Sequence, residues 1–128
     1  MNKSGERVEV KINEIPSDLP IADIGLETIA EYSKVLRNAK VTVLNGPTGI
    51  FEQEQFRLGT IELLKAATSS CYSIAGGGHT VTAIDLLGLE PKFSHVSMGG
   101  GASITYLSGD AMPGIDALRK AAERQIKG

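Results

Sequence analysis

The sequence predicts an α/β fold: a three-layer, Rossmann-like parallel sheet flanked by helices. Three observations predict it. Short β-branched apolar runs alternate with amphipathic stretches of roughly 10–15 residues, the pattern of parallel strands joined by crossover helices. Three of the strand-like runs end in glycine-rich turns that lead directly into a helix. The length, 128 residues with 41% apolar and 22% charged side chains, suits one domain with an ordinary core.

The elements follow in order. Residues 7–12 (RVEVKI) alternate polar and apolar side chains and predict a half-exposed strand. Residues 14–20 (EIPSDLP) hold two prolines and predict a connection. Ile29, Tyr32, Val35, Leu36 and Ala39 recur at three- and four-residue spacing and predict a helix over 26–38, with Asp23 ahead of it as an N-cap. Residues 41–44 are a buried strand bounded by a turn cluster. Residues 54–67 form a second helix with Phe56, Leu63, Leu64 and Ala67 on one side, although Gly59 inside it costs about 1 kcal/mol relative to Ala. Residues 71–75 are a strand opened by Cys71, a buried apolar residue in this reading. A helix over 79–87 stops near Gly88 and leaves Asp85 solvated. A strand over 93–97 carries His95 as a core or edge histidine, and a helix follows over 101–107. Pro113 opens the last helix, 114–126, with Ile115, Leu118, Ala122 and Ile126 on one stripe.

Charge excludes several function classes. Thirteen basic and fifteen acidic residues give a net charge of −2, without the concentrated basic field that nucleic-acid binding needs. Lys3, Arg7 and Lys11, and Arg119, Lys120, Arg124 and Lys127, alternate with acids and read as solvated faces. No apolar run approaches the roughly 18 residues of a membrane span. The start MNKSGERVEV lacks the apolar core of a secretory signal, and one cysteine cannot form an internal disulfide, so the cytoplasm is the expected compartment. No Ser-His-Asp or Cys-His set has a spacing that argues for nucleophilic catalysis.

Glycine is the skewed count: 15 of 128, about 12% against a usual ~7%. Eight of the fifteen sit in three turns: NGPTG (45–49), GGGHT (76–80) and MGGGAS (98–103). Parallel strands put all their carboxyl ends on one rim, where open α/β sheets bind ligands. Glycines there allow tight strand-to-helix turns, and they also let an extended ligand approach the backbone. Free N–H groups at a helix start favour phosphate. The set of three points to a ligand with several phosphates or carboxylates. The P-loop pattern GxxxxGK[ST] is absent, and GxGxxG fails because Val81 and Ile104 stand in the third-glycine positions.

NGPTGIFE (45–52) resembles the phosphoglycerate kinase signature NGPxGxFE. AGGGHT (75–80) is similar to that family's nucleotide-phosphate turn, and residues 93–114 (FSHVSMGGGASITYLSGDAMPG) to its C-terminal signature. ADIGLET (22–28) is similar to its upstream Asp-x-Gly-Pro segment. The resemblance runs from about Gly5 to the end and implies the later part of the nucleotide-binding domain of a two-domain kinase, which binds ATP or ADP with Mg2+. It implies that Asn45, Gly46 and Pro47 shape the nucleotide wall and that Glu52 accepts hydrogen bonds from the ribose hydroxyls. Gly77, Gly78, His79 and Thr80 would hold the phosphates. The backbone N–H groups of Gly78, Gly99 and Gly100, with Gly101 beside them, would face the transferring phosphoryl group. The implied chemistry is glycolytic in-line transfer between 1,3-bisphosphoglycerate and ADP, which needs positioning and charge neutralisation more than covalent chemistry.

The chain departs from the family pattern at three places. His79 stands where many members have an aspartate that helps to hold magnesium. A neutral imidazole suits that oxygen-seeking ion poorly, so no metal ligand is assigned; the ring could face a phosphate instead. Met98 replaces a usual Thr, and Leu26 a usual Pro.

The resemblance also implies absences. The family's phosphate-contacting lysines and its triose-binding domain have no counterpart here. Residues 1–112 are expected to be part of a nucleotide-binding domain, and 113–128 a helix that returns to the absent N-terminal domain. Alone, the piece is expected to bind nucleotide weakly and to be inactive. It would engage 3-phosphoglycerate or 1,3-bisphosphoglycerate only with that domain, and it would self-associate through unpaired sheet edges and an uncovered face. The alternative is a non-catalytic truncated relative that binds an anion or a partner protein.

Overall fold

The computed structural model describes residues 1–126, with side chains described through Arg124. Lys127, and the side chain of Ile126 on the expected apolar stripe, lie outside the described residues. Three strands, β1 (Val41–Asn45), β2 (Tyr72–Gly76) and β3 (His95–Ser97), form one parallel sheet in the order β1-β2-β3. Helix α1 (Leu26–Asn38) precedes the sheet, α2 (Leu58–Ala67) and α3 (Gly78–Leu86) make the crossovers, and α4 (Gly101–Ser108) and α5 (Pro113–Ile126) follow. The predicted α/β class, a parallel sheet with crossover helices, is the one observed.

The core lies between one sheet face and helices α2 and α3. Phe51, Leu64, Ala75, Ile84, Leu89 and Phe93 are buried together in it. The other face is open: Val41, Val43, Tyr72 and His95 are exposed. Strand alternation explains the split, because Thr42, Ser73 and Ala75 point inward between them. Helices α1 and α2 pack on each other, with Ile29 and Ser33 buried one turn apart on α1. Tyr32 and Val35, on the same predicted stripe, face solvent. Helix α3 ends as expected at Gly88: its φ of +62° places it in the left-handed region, and the N–H groups of Gly88 and Leu89 donate to the Asp85 and Ile84 carbonyls, both at 3.0 Å. Helix α4 buries no residue, and on α5 Ile115 and Leu118 are exposed, Leu118 by 72%.

Six expectations need correction. The strand at 41–44 is buried on one face only, because Val41 and Val43 point to the open side of the sheet. Residues 7–12 form no strand; the segment runs outside the sheet, because no strand lies beside it to complete a ladder. The helix over 54–67 is broken into a 3-10 turn at Glu54–Phe56 and α2 from Leu58. Asp23 does not cap α1, whose N-cap is Gly25; it reaches the start of α2 instead, where Gly59 N–H donates to its Oδ2 at 3.0 Å. Arg7 is not on a solvated face: it pairs with Asp23 at 3.0 Å. Cys71 is exposed, because β2 begins one residue later.

Candidate functional site

The register brings the three glycine turns together. Asn45 pairs with Gly76, and Gly76 with Ser97, so the three strands end side by side. Two contacts then join the turns. Gly46 N–H donates to the Thr80 hydroxyl at 2.7 Å, linking the first turn to α3. The Asn45 side chain lies over Gly77, where a Cβ would come within 2.5 Å of Asn45 Oδ1; with its φ of +91°, Gly77 admits no other residue without strain. A Cβ on Gly100 would lie 4.0 Å from Gly77 Cα, which places the third turn against the second.

Two helices begin on this rim without a side-chain cap. Helix α3 follows Gly77, and its first ladder bond across the start is Val81 N–H to the Gly77 carbonyl at 3.0 Å. The Gly78, His79 and Thr80 amides stand ahead of that bond. Helix α4 follows Gly100 and starts with Ala102 N–H to the Gly99 carbonyl at 3.0 Å. The positive ends of two helix dipoles thus meet beside three backbone turns. The residues expected to face a ligand are not equally free. Gly78, Gly99 and Gly101 are exposed, but Gly99 N–H donates to Ser97 Oγ at 3.2 Å. Ser97 Oγ in turn contacts Ser103 Oγ. Thr80 is buried, and its hydroxyl serves the joint with Gly46.

Glu52 and His79 meet at the mouth of the rim. Glu52 Oε1 lies 3.4 Å from His79 Nδ1, and both side chains are largely exposed. Arg57, which no local sequence pattern singles out, holds the Glu52 backbone. Its Nε donates to the Phe51 carbonyl at 2.6 Å and its Nη2 to the Glu52 carbonyl at 3.3 Å, while its guanidinium stacks 5.3 Å from the Phe51 ring centre. Pro47 is half-buried behind Gly46. One carboxylate and one imidazole are a poor donor set for magnesium, and no cluster of three metal-ligating side chains occurs among the described residues.

A groove of about 880 Å³ lies away from this rim, between residues 7–16 and the start of α1, and contains none of the glycine turns. No helix among the described residues is long and apolar enough to cross a membrane.

An open parallel sheet with crossover helices and uncapped helix starts gathered at its carboxyl rim places the chain in the Rossmann-like class of α/β proteins. Comparison with known proteins narrows it. The sequence profile of the family described as Phosphoglycerate kinase matches residues 1–110. The chain is 67% identical over 127 residues to phosphoglycerate kinase 1 of Methanosarcina acetivorans, covering 99% of this chain and 31% of that protein. It is 45% identical over 128 residues to the phosphoglycerate kinase of Methanothermus fervidus, again 99% of this chain and 31% of the other. Among solved structures it is similar to phosphoglycerate kinase from Pyrococcus horikoshii OT3, with a TM-score of 0.81 and 37% identity over 94% of this chain and 31% of that one. For the Coxiella burnetii enzyme the TM-score is 0.77, with 40% identity over 88% and 29%. The chain belongs to the phosphoglycerate kinase family, and it spans 29–31% of the length of these relatives.

Proposed function

We propose that this chain carries the nucleotide-phosphate and ribose loops of a phosphoglycerate kinase, serving reversible phosphoryl transfer between 1,3-bisphosphoglycerate and ADP. The observation that carries this is glycine without a structural reason. Gly78 and Gly101 open α3 and α4 with no positive φ, and a Cβ on either would meet nothing within 4 Å. Neither the backbone nor the packing of this chain requires glycine there, although glycine is a poor helix former. Gly25 and Gly114 share this freedom, but Gly78 and Gly101 stand at helix starts on the carboxyl rim, where a ligand brought against the backbone supplies the reason.

In this reading the amides at the starts of α3 and α4 bind the polyphosphate tail. The Glu52 carboxylate accepts from the ribose hydroxyls, and ligand entry separates it from His79. Asn45, Gly46 and Pro47 form the wall beneath. Magnesium, arriving on the nucleotide, would neutralise phosphate charge, and the side chains of this rim do not fit it by themselves. Residues 1–112 act as part of the nucleotide domain of a cytoplasmic enzyme. Helix α5 would lie against the family's triose-binding domain, which would hold the triose phosphate, and these 128 residues alone are expected to transfer nothing.

Calorimetric titration with MgADP tests this. Weak binding is expected, roughly 1 mM, or about −4 kcal/mol. No heat at millimolar nucleotide would refute a self-sufficient nucleotide site. The open sheet face and the exposed Leu118 favour a second role alongside it, association with another chain, measurable by sedimentation.

A further inference from the structure

The function proposed above leaves Asp23 without a task, yet its side chain is 2% exposed and both its oxygens are engaged. Oδ1 accepts from the Ile24 amide at 2.9 Å and from the Thr48 hydroxyl at 3.4 Å. Oδ2 accepts from the Gly59 amide and from Arg7 Nη1, each at 3.0 Å. Arg7 also donates to the Ile24 and Gln55 carbonyls, both at 3.3 Å. Thr48 and Gly59 flank the segment that carries Glu52. One carboxylate therefore pins both ends of that segment. It also bears on two glycines, neither with a positive φ. A Cβ on Gly59 would stand 2.3 Å from Asp23 Oδ1, its nearest neighbour, and one on Gly49 would stand 2.7 Å from Oδ1 and 2.6 Å from the Phe56 carbonyl. Glycine at 59 is the space the carboxylate needs, and at 49 the carboxylate shares that demand with the backbone.

We infer that Asp23, held by Arg7, is a positioning residue that sets where Glu52 stands on the rim, and so governs recognition of the ribose rather than of the phosphates. The inference rests on the ribose role proposed for Glu52. Asp23→Asn puts an amide against two donors, and Thr48→Val keeps the shape while removing the hydroxyl that donates to Asp23 Oδ1 and contacts Thr60 Oγ1 at 3.3 Å. The test compares ADP with inorganic pyrophosphate, which has no ribose, on the full chain with each substitution. Asp23→Asn is expected to weaken ADP about tenfold and leave pyrophosphate unchanged, with Thr48→Val smaller in the same direction. A purely structural role would weaken both ligands alike, and equal losses, or no loss, overturn the inference. Residue-resolved amide hydrogen exchange separates this from failure of the site itself. If the unsubstituted chain binds neither ligand, the nucleotide function falls. Faster exchange at Gly59 and shifted Glu52 resonances, with Leu64 and Ala75 unchanged, would still support the positioning role, and unchanged Gly59 and Glu52 signals would end it. Should Asp23→Asn fail to fold, Thr48→Val carries both readouts.

Discussion

Replacing Gly78 by alanine separates folding from binding at one atom. The added methyl projects into space with no protein atom within 4 Å, and Gly78 has no positive φ. Folding loses nothing and gains from the narrower unfolded ensemble, about 0.4–1 kcal/mol. For a chain of this size that raises Tm by roughly 1–4 °C. If phosphate approaches the Gly78 amide, the same methyl occupies its path, and crowding of that kind costs about 1–3 kcal/mol. The affinity for MgADP should then fall about 5- to 150-fold. Gly114→Ala is the control: Gly114 also lies near a helix start with open space around it, but on α5, away from the glycine turns. The assay is calorimetry paired with a thermal melt. A Gly78→Ala chain that gains stability and binds MgADP unchanged would refute the reasoning, because the backbone would then not face the ligand.

Three further outcomes follow from the structure. Gly77→Ala should destabilise by about 1–3 kcal/mol, since its φ is +91° and Asn45 Oδ1 fills the Cβ position; chemical denaturation reads the loss. Phe56→Ala, at a side chain only 1% exposed, should cost roughly 3–5 kcal/mol in the same measurement. Val43→Lys, on the open face of the central part of β1, should leave Tm nearly unchanged and reduce any self-association in sedimentation velocity, whereas persistence of the associated species would locate the contact elsewhere.

The layout of the rim was legible because its signals are local. A β-branched run, a glycine turn and a helical period together fix a strand's carboxyl end, and parallel pairing then aligns Asn45, Gly76 and Ser97. The Gly88 stop was legible for the same reason. The supports of the site were not. Arg7 and Asp23 are 16 residues apart, and Asp23 and Gly59 are 36 apart, so no periodicity joins them. Asp23 was recognisable as a capping type, but which helix it caps depends on how α2 docks. Gly59 looked like a weakness in a helix, whereas it is the clearance for a carboxylate. The alternation at 7–12 predicted a strand because pattern reports which faces differ and says nothing about whether a neighbour is there to pair with. Cys71 and Tyr72 straddle the point where pairing begins, a boundary that composition does not mark.

The three aligned strand ends also bear on how the chain reaches its native state. The loops they carry are separated by whole crossover units, so no short stretch of polypeptide can display them together. They become neighbours once both parallel pairings have formed, which are non-local contacts of the kind that slow folding. A guest seated there recognises the finished sheet and no earlier species, so saturating it would raise the unfolding midpoint in proportion to the logarithm of its concentration.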